Sequence, residues 1–305
     1  MWLKFLLVAF FVLSLLGAFV LAPRQKLARS KDSELTHVED DRRQDNRRLR
    51  LLTWNIGNGD LESDTRAHTK DLRAVAEVIK KSDPDAVALQ ELSGKDQLTE
   101  LLAQLQNDYR GYVCNPGSSD RTDAVLIKNN NASNARKDRV GRGRPADGHE
   151  RFDDLPAGER FAAAATFHLS ADAPAIVLVS AHADAFSARR RRVFVAEVVD
   201  WSRSRSQGAI VFIAGDFNFE VSVRKELNLF TDDAKHDSES YAYLLKYFRD
   251  LGRDAGETSI NDRRIDYVFG PPETGSPVRA EVLRGAGIGR MDHWPLLVEV
   301  ALSSS

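Results

Sequence analysis

The 305-residue sequence is 42% hydrophobic and 29% charged, which is enough apolar material for one large globular domain and too much for a chain that stays unfolded. Its 43 Lys and Arg residues face 45 Asp and Glu, a formal net charge of -2, so no chain-wide field draws it to nucleic acid or anionic membranes and any attraction to polyanions must be local. Cys114 is the only cysteine; this excludes an intramolecular disulfide and a cysteine-built zinc site, and directs any metal to oxygen ligands.

In chain order, the first feature is an uncharged apolar run from Phe5 to Ala22, whose length lies between a long signal-peptide core and a minimal transmembrane helix. Val20 and Ala22 would permit cleavage after Ala22, but Pro23 would then follow the cut. Residues 1–22 are therefore read as an uncleaved membrane anchor, with secretion as the alternative if they are removed. Arg24, Lys26, Arg29 and Lys31 outnumber Lys4 and the amino terminus and so resist export of the C-terminal part, yet an extracytoplasmic domain is the topology expected. Residues 23–48, including "KDSELTHVEDDRRQDNRR", form a charged linker almost free of large apolar groups.

The folded domain is expected over 49–302. "LRLLTWN" (49–55) reads as a strand; Leu72, Val75, Ala76 and Ile79 recur at helical spacing up to the "SDPD" breaker; "AVALQE" (86–91) is a second buried strand. Further strands are expected at 124–127, 161–167, 176–180, 210–214, 265–269 and 296–300, and helices at 97–107, 188–203 and 240–251. Strands interleaved with helices indicate α/β layers, and the succession of 124–127 and 161–167 suggests an antiparallel pair within a mixed sheet. The sequence contains no internal repeat.

Many of these strands end in a polar group: Asn55, Glu91, His182, then Asp216 and Asn218 in "AGDFN". Asp266 lies in "RRIDYVF", and Asp292 and His293 precede the last strand in "RMDHWPLLVEV". One polar residue after a strand is usually a turn former. Neighbouring strand ends, however, converge on one edge of a layered sheet, where distant residues share a pocket. The six oxygen-bearing side chains suit Mg²⁺ or Mn²⁺, and two histidines beside acids can donate to phosphate oxygens or move protons near neutral pH. Asp216 and Asn218, two apart on an extended tip, would face the same side of the chain. With no GxSxG elbow and no HExxH pair, metal-assisted attack of water on a phosphate ester is favoured over serine or zincin hydrolysis.

"TWNIGNG", "DPDAVALQE", "GDFN", "RIDYVF" and "MDHWPL", in this order across 49–302, resemble the endonuclease/exonuclease/phosphatase superfamily, which includes deoxyribonuclease I and neutral sphingomyelinases. The resemblance implies a four-layer α/β sandwich of two packed mixed sheets flanked by helices, and a metal-dependent phosphoesterase. It makes Glu91, Asn55 and Asp292 the metal residues for Mg²⁺, with Mn²⁺ as the alternative. It gives Asp216 the attacking water, Asn218 the phosphate or that water, and His293 the scissile phosphate, with Asp266 fixing its tautomer. His182 would serve as phosphate ligand or general acid, and Arg160 would reach the phosphate, as in the deoxyribonuclease I branch. That branch pairs its first histidine with an acid before the strand matched by "AVLIKNN"; here "SDRTD" offers only Asp120 and Asp123, and Met291 replaces the usual Ser before the final Asp-His.

Two basic stretches remain. "ARKDRVGRGR" (135–144) is either a solvated loop or a phosphate clamp, and of "RRRR" (189–192) only one or two members can face the site, because consecutive residues circle a helix. A monomer acting on nucleic acid is the first expectation. A sphingomyelinase-like or phosphoinositide-directed enzyme at the membrane is the second, and a catalytically silent, membrane-tethered binding module the third.

Overall fold

Strands that are apolar at every position need cover on both faces. Two six-stranded mixed sheets supply it here, packed face to face with helices outside, as the sequence leads one to expect. The computed structural model describes residues 48–57, 65–113, 122–131, 136–137, 162–171, 173–221, 234–260, 262–274, 277–286 and 291–302, all within one unit, Asp41–Ser305. The expected anchor and nearly all of the linker lie outside them. Among the described residues no helix is long and apolar enough to cross a membrane.

The elements run β1 (Arg48–Asn55), α1 (Thr65–Ser82), β2 (Ala86–Leu92), α2 (Lys95–Gln104), β3 (Tyr109–Val113), β4 (Thr122–Lys128), β5 (Arg136–Lys137), β6 (Ala162–Phe167) and β7 (Ile176–His182). They continue with α3 (Ala188–Arg205), β8 (Ile210–Asp216), α4 (Ala234–Leu245), β9 (Arg249–Asp250), β10 (Asp266–Gly270), β11 (Arg279–Val282) and β12 (Leu296–Ala301). One sheet is ordered β11-β12-β1-β2-β4-β3 and the other β5-β6-β7-β8-β10-β9. Period-two alternation divides each strand between two environments. Leu49 and Leu51 meet Leu178, Phe212 and Val268 between the sheets, while Leu52 and Trp54 turn outward onto Leu72, Val75 and Ile79 of α1. On the far side Val177, Val179 and Val211 pack under Phe194, Val195 and Val198 of α3.

Two expectations are corrected. The strands at 124–127 and 161–167 do not pair: β4 bonds to β2 and β3, β6 bonds to β5 and β7, and the chain between them passes from one sheet to the other. The helix expected at 240–251 spans Ala234–Leu245 instead, because Arg249 and Asp250 form β9 against Gly270 and Phe269. Three short or polar edge strands, β3, β9 and β11, escape a search for apolar runs, since edge strands bury little.

Helices α3 and α4 are joined by a wholly buried ion pair, Arg191 Nη2 to Asp237 Oδ1 at 2.8 Å and Oδ2 at 3.1 Å, with Arg191 Nε donating to Oδ1 at 3.0 Å. Removing one partner strands the other charge in an apolar layer. Asp237→Ala should cost about 3–5 kcal/mol of unfolding free energy in urea titration, whereas breaking the exposed Arg192–Glu239 pair next to it (2.7 Å) should cost less than about 1 kcal/mol.

Candidate active site

Both sheets send their polar tips to the same place. β1 ends in Asn55 and its parallel neighbour β2 reaches Glu91, while β7 and β8 end in the parallel pair His182 and Asp216, with Asp266 of β10 opposite Asp216 on the other side. Asp216 lies at the centre. Its Oδ2 accepts from Asn55 Nδ2 at 3.0 Å and Asn218 Nδ2 at 3.2 Å, and its Oδ1 from the Asn218 backbone N–H at 2.8 Å. Two imidazoles approach that same Oδ2, His182 Nε2 at 3.6 Å and His293 Nε2 at 3.7 Å. His182 Nε2 is also 3.6 Å from Glu91 Oε1, to which Asn55 Nδ2 donates at 3.1 Å.

Backbone geometry makes this convergence possible. Gly215, at φ 150°, lies opposite Ala181, and a Cβ there would sit 1.8 Å from the Ala181 carbonyl oxygen; the tips of β7 and β8 can close up only around glycine. Glu91 (φ 58°) and Asn218 (φ 50°) hold left-handed conformations that non-glycine residues avoid, and a register shift in the β2–β4 ladder between Leu89 and Leu92 swings Glu91 out of strand alternation. Asp216 and Asn218 therefore do not meet on an extended tip. They meet because Asp216 caps a tight turn and brings the Asn218 amide back onto its own carboxylate.

His293 is held from three directions. Its Nδ1 lies 2.7 Å from Asp266 Oδ2, its carbonyl accepts from Trp54 Nε1 at 2.9 Å, and it bridges to Ser259. Asp292, half-exposed, reaches to 3.9 Å of His293 Nε2. Beneath the tips runs a polar layer that the sequence did not reveal: Gln90 Nε2 donates to Ser180 Oγ (2.9 Å), which donates to the Leu89 carbonyl (2.9 Å), tying the two sheets together under the site. Gln90 sits beside Glu91 and is fully buried within an apolar strand, the one sequence signal for this layer.

Seven of the expected residues, Asn55, Glu91, His182, Asp216, Asn218, Asp266 and His293, are thus assembled, with Asp292 at the rim. Arg160 and Asp120 lie outside the described residues, as does nearly all of 135–144 except Arg136 and Lys137 of β5. Asp123 is buried in β4. Of the four consecutive arginines, Arg191 is spent on Asp237, Arg192 on Glu239 and Arg190 approaches Asp184 at 3.5 Å, which leaves Arg189 exposed.

The family model described as the endonuclease/exonuclease/phosphatase family matches residues 52–290. The chain belongs to that family. No curated protein matches it. Among solved structures, the endonuclease/exonuclease/phosphatase from Bacteroides vulgatus superposes with a TM-score of 0.64 at 17% identity, over 84% of this chain and 99% of its own. The family member from Beutenbergia cavernae gives 0.60 at 20%, over 85% and 72%, and truncated TDP2 from Caenorhabditis elegans 0.56 at 19%, over 83% and 97%. At such identities the likeness establishes the fold alone, and the chemistry rests on the geometry of the site.

That geometry suits a divalent cation. The donors are hard oxygens, Asp266 Oδ1 is buried with no hydrogen-bond partner, and Gly57 lets the Glu91 side chain lie close against the chain after β1, since a Cβ there would sit 2.4 Å from Glu91 Oε2. Asp216, Asp266 and His293 form a cluster whose ligand atoms lie within 4.8 Å of one another. Burial pushes Asp216 up to about 7 against the opposing pull of His293, and His293, though burial works against its charge, is raised to about 10 by Asp266 and Asp216.

Stability is linked to pH through the same imidazole. A histidine raised from 6.5 to about 10 contributes stability that is complete below pH 6.5 and is lost as pH rises through 10. In EDTA, above about pH 8, once Asp216 with its pKa of about 7 is largely deprotonated, urea titrations should show stability declining toward pH 10. Asp266→Asn removes the leading cause of the rise and should end that decline at a lower pH. An unchanged profile in the variant would separate Asp266 from the protonation of His293.

Proposed function

We propose that this protein is a divalent-metal-dependent phosphodiesterase acting on nucleic acid. The observation that carries the reading is the approach of two imidazole Nε2 atoms, of His182 and His293, to the one buried oxygen Asp216 Oδ2, at 3.6 and 3.7 Å. An acid that must take a proton is thereby set beside two groups that can give one or stabilise an oxyanion, the set that hydrolysis of a phosphate diester needs.

In this reading Glu91, Asn55 and Asp292 hold Mg²⁺, with Mn²⁺ as the alternative, and the ion when bound withdraws charge from phosphate oxygens. Asp216, held near neutrality by burial, takes the proton from the attacking water as its oxygen bonds to phosphorus. His293, kept cationic by Asp266, donates to a non-bridging oxygen. His182 protonates the leaving oxygen as the ester bond breaks, so the proton lost by water to Asp216 is matched by one delivered to the product alcohol. Asn218 keeps Asp216 aimed, since its amide hydrogens go to Asp216 Oδ2 and to the Ala183 carbonyl, the latter at 3.1 Å. We further propose that Arg160 binds the phosphate.

Hydrolysis of plasmid DNA, RNA, sphingomyelin and inositol phosphates with Mg²⁺ tests the substrate class; turnover confined to the lipid or the inositol phosphates would replace the nuclease reading. Glu91→Gln should lower turnover at least about a hundredfold, the usual scale for losing one essential group, and should abolish the rise in melting temperature that Mg²⁺ gives the wild-type protein. An intact Mg²⁺-dependent melting shift in that variant would remove Glu91 from the metal site.

From the sequence alone we also propose that residues 1–22 anchor the protein, with the catalytic domain extracytoplasmic. The full-length chain should sediment with membranes, and a soluble species shortened to begin near Pro23 would show cleavage instead.

A further inference from the structure

A cavity of about 450 Å³ opens on the flank of the first sheet, between the last turn of α1 and strands β1, β11 and β12. None of the residues assembled in the catalytic site lines it. Its volume is that of a small-molecule pocket. Val282 and Leu297 give it a buried apolar wall, and four cationic side chains, Arg50, Lys81, Arg279 and Arg284, line it against one acid, Glu281. Cations gathered around one opening repel one another unless an anion sits among them.

The carboxylates nearby compensate only in part. Arg279 uses Nε and Nη2 on Glu281, and Arg284 uses Nη2 on Glu257; both pairs are about half exposed and weak, and among the described residues the Nη1 groups of both arginines remain for another acceptor. Arg50 Nε is buried without a hydrogen-bond partner, 3.8 Å from Glu299 Oε2, and Lys81 has no carboxylate partner among the described residues. A buried donor left unmade is costly and marks a place for an acceptor. The lining is open at Gly285, where a Cβ would meet nothing within 4 Å. Guanidinium forks and an ammonium match the oxygens of a phosphate, and the apolar wall suits the organic part that carries it. We propose that this cavity binds an organic phosphate, with Arg50 and Lys81 as its principal contacts. The same chemistry is offered by a soluble phosphate monoester and by the headgroup of an anionic phospholipid, the second being at hand if residues 1–22 hold the chain at a membrane. The site does not depend on what the catalytic residues hydrolyse.

The test titrates glycerol 3-phosphate by calorimetry into the full-length chain in a neutral detergent with EDTA, and compares the wild type with Lys81→Gln, Gly285→Glu and, outside the cavity lining, Lys95→Gln on α2. Both cavity variants should weaken binding about tenfold, the scale of one charge-assisted hydrogen bond. Lys95→Gln should bind as the wild type does, and so should His293→Ala, which removes a phosphate donor from the catalytic site. A second arm measures melting temperature in micelles of the same detergent doped with phosphatidylglycerol or with phosphatidylcholine, where a bound headgroup raises the transition. A rise with phosphatidylglycerol alone that both cavity variants lose, without heat from glycerol 3-phosphate, supports the site and makes the lipid its ligand. Heat without such a rise supports it and makes the ligand soluble, and both responses together support the shared chemistry. Neither response, responses kept in both cavity variants, or binding lost in His293→Ala and kept in Lys81→Gln would overturn the proposal. Lys81 and Gly285 are exposed, so both variants should fold, and an unchanged melting temperature without ligand verifies it.

Discussion

A carboxylate taken out of water must be surrounded by donors or give up its charge, and Asp216, 1% exposed at the junction of two sheets, imposes that condition on everything near it. The first sheet answers with Asn55 and with His293 just before β12, and the second with His182 and Asn218. Each of these is brought in by a different strand end or loop, so the demand of one acid sets the relative register of β1, β7, β8 and the segment before β12. The incomplete satisfaction that remains is useful. An acid held near neutrality can be a base at one moment and a neutral group at the next, which a fully solvated aspartate cannot.

Around that acid the backbone departs from its ordinary preferences at three points, Gly215, Glu91 and Asn218. All three lie on strand tips, and all three bring side chains to positions that regular strand alternation would not allow. Strain of this kind persists only where the scaffold over-determines it. The aromatic layer of Phe217, Phe219, Tyr267 and Phe269, with Tyr267 and Phe269 stacked at 5.5 Å, and the polar tie from Gln90 to Ser180 provide that support from beneath.

The sequence made the central strands legible because they are buried on both faces and read as unbroken apolar runs, and it made the site legible because polar residues recur where those runs stop. Edge strands were lost, since Tyr109–Val113 and Arg279–Val282 bury only some of their residues and carry polar groups outward. The pairing of β4 was misjudged because nearness in sequence does not say which of two sheets a strand joins. Asp237 could not be recognised as the partner of Arg191: a buried ion pair across 46 residues has no local signature, and the sequence says only that one or two of the four consecutive arginines can face the site. The left-handed turns at Glu91 and Asn218 were equally hidden, since neither residue type announces a positive φ as glycine does.

The direction of β1 has its own consequence. The strand enters at Arg48 and ends at Asn55 in the site, a span of roughly 23 Å at strand rise, and Arg48 pairs with Ala301 of the antiparallel β12. Both chain ends of the sandwich therefore emerge side by side at the pole opposite the catalytic mouth. Whatever is attached to either end, whether a tether, a neighbouring domain or an engineered fusion, joins the molecule at its base, about a strand's length from the site residues.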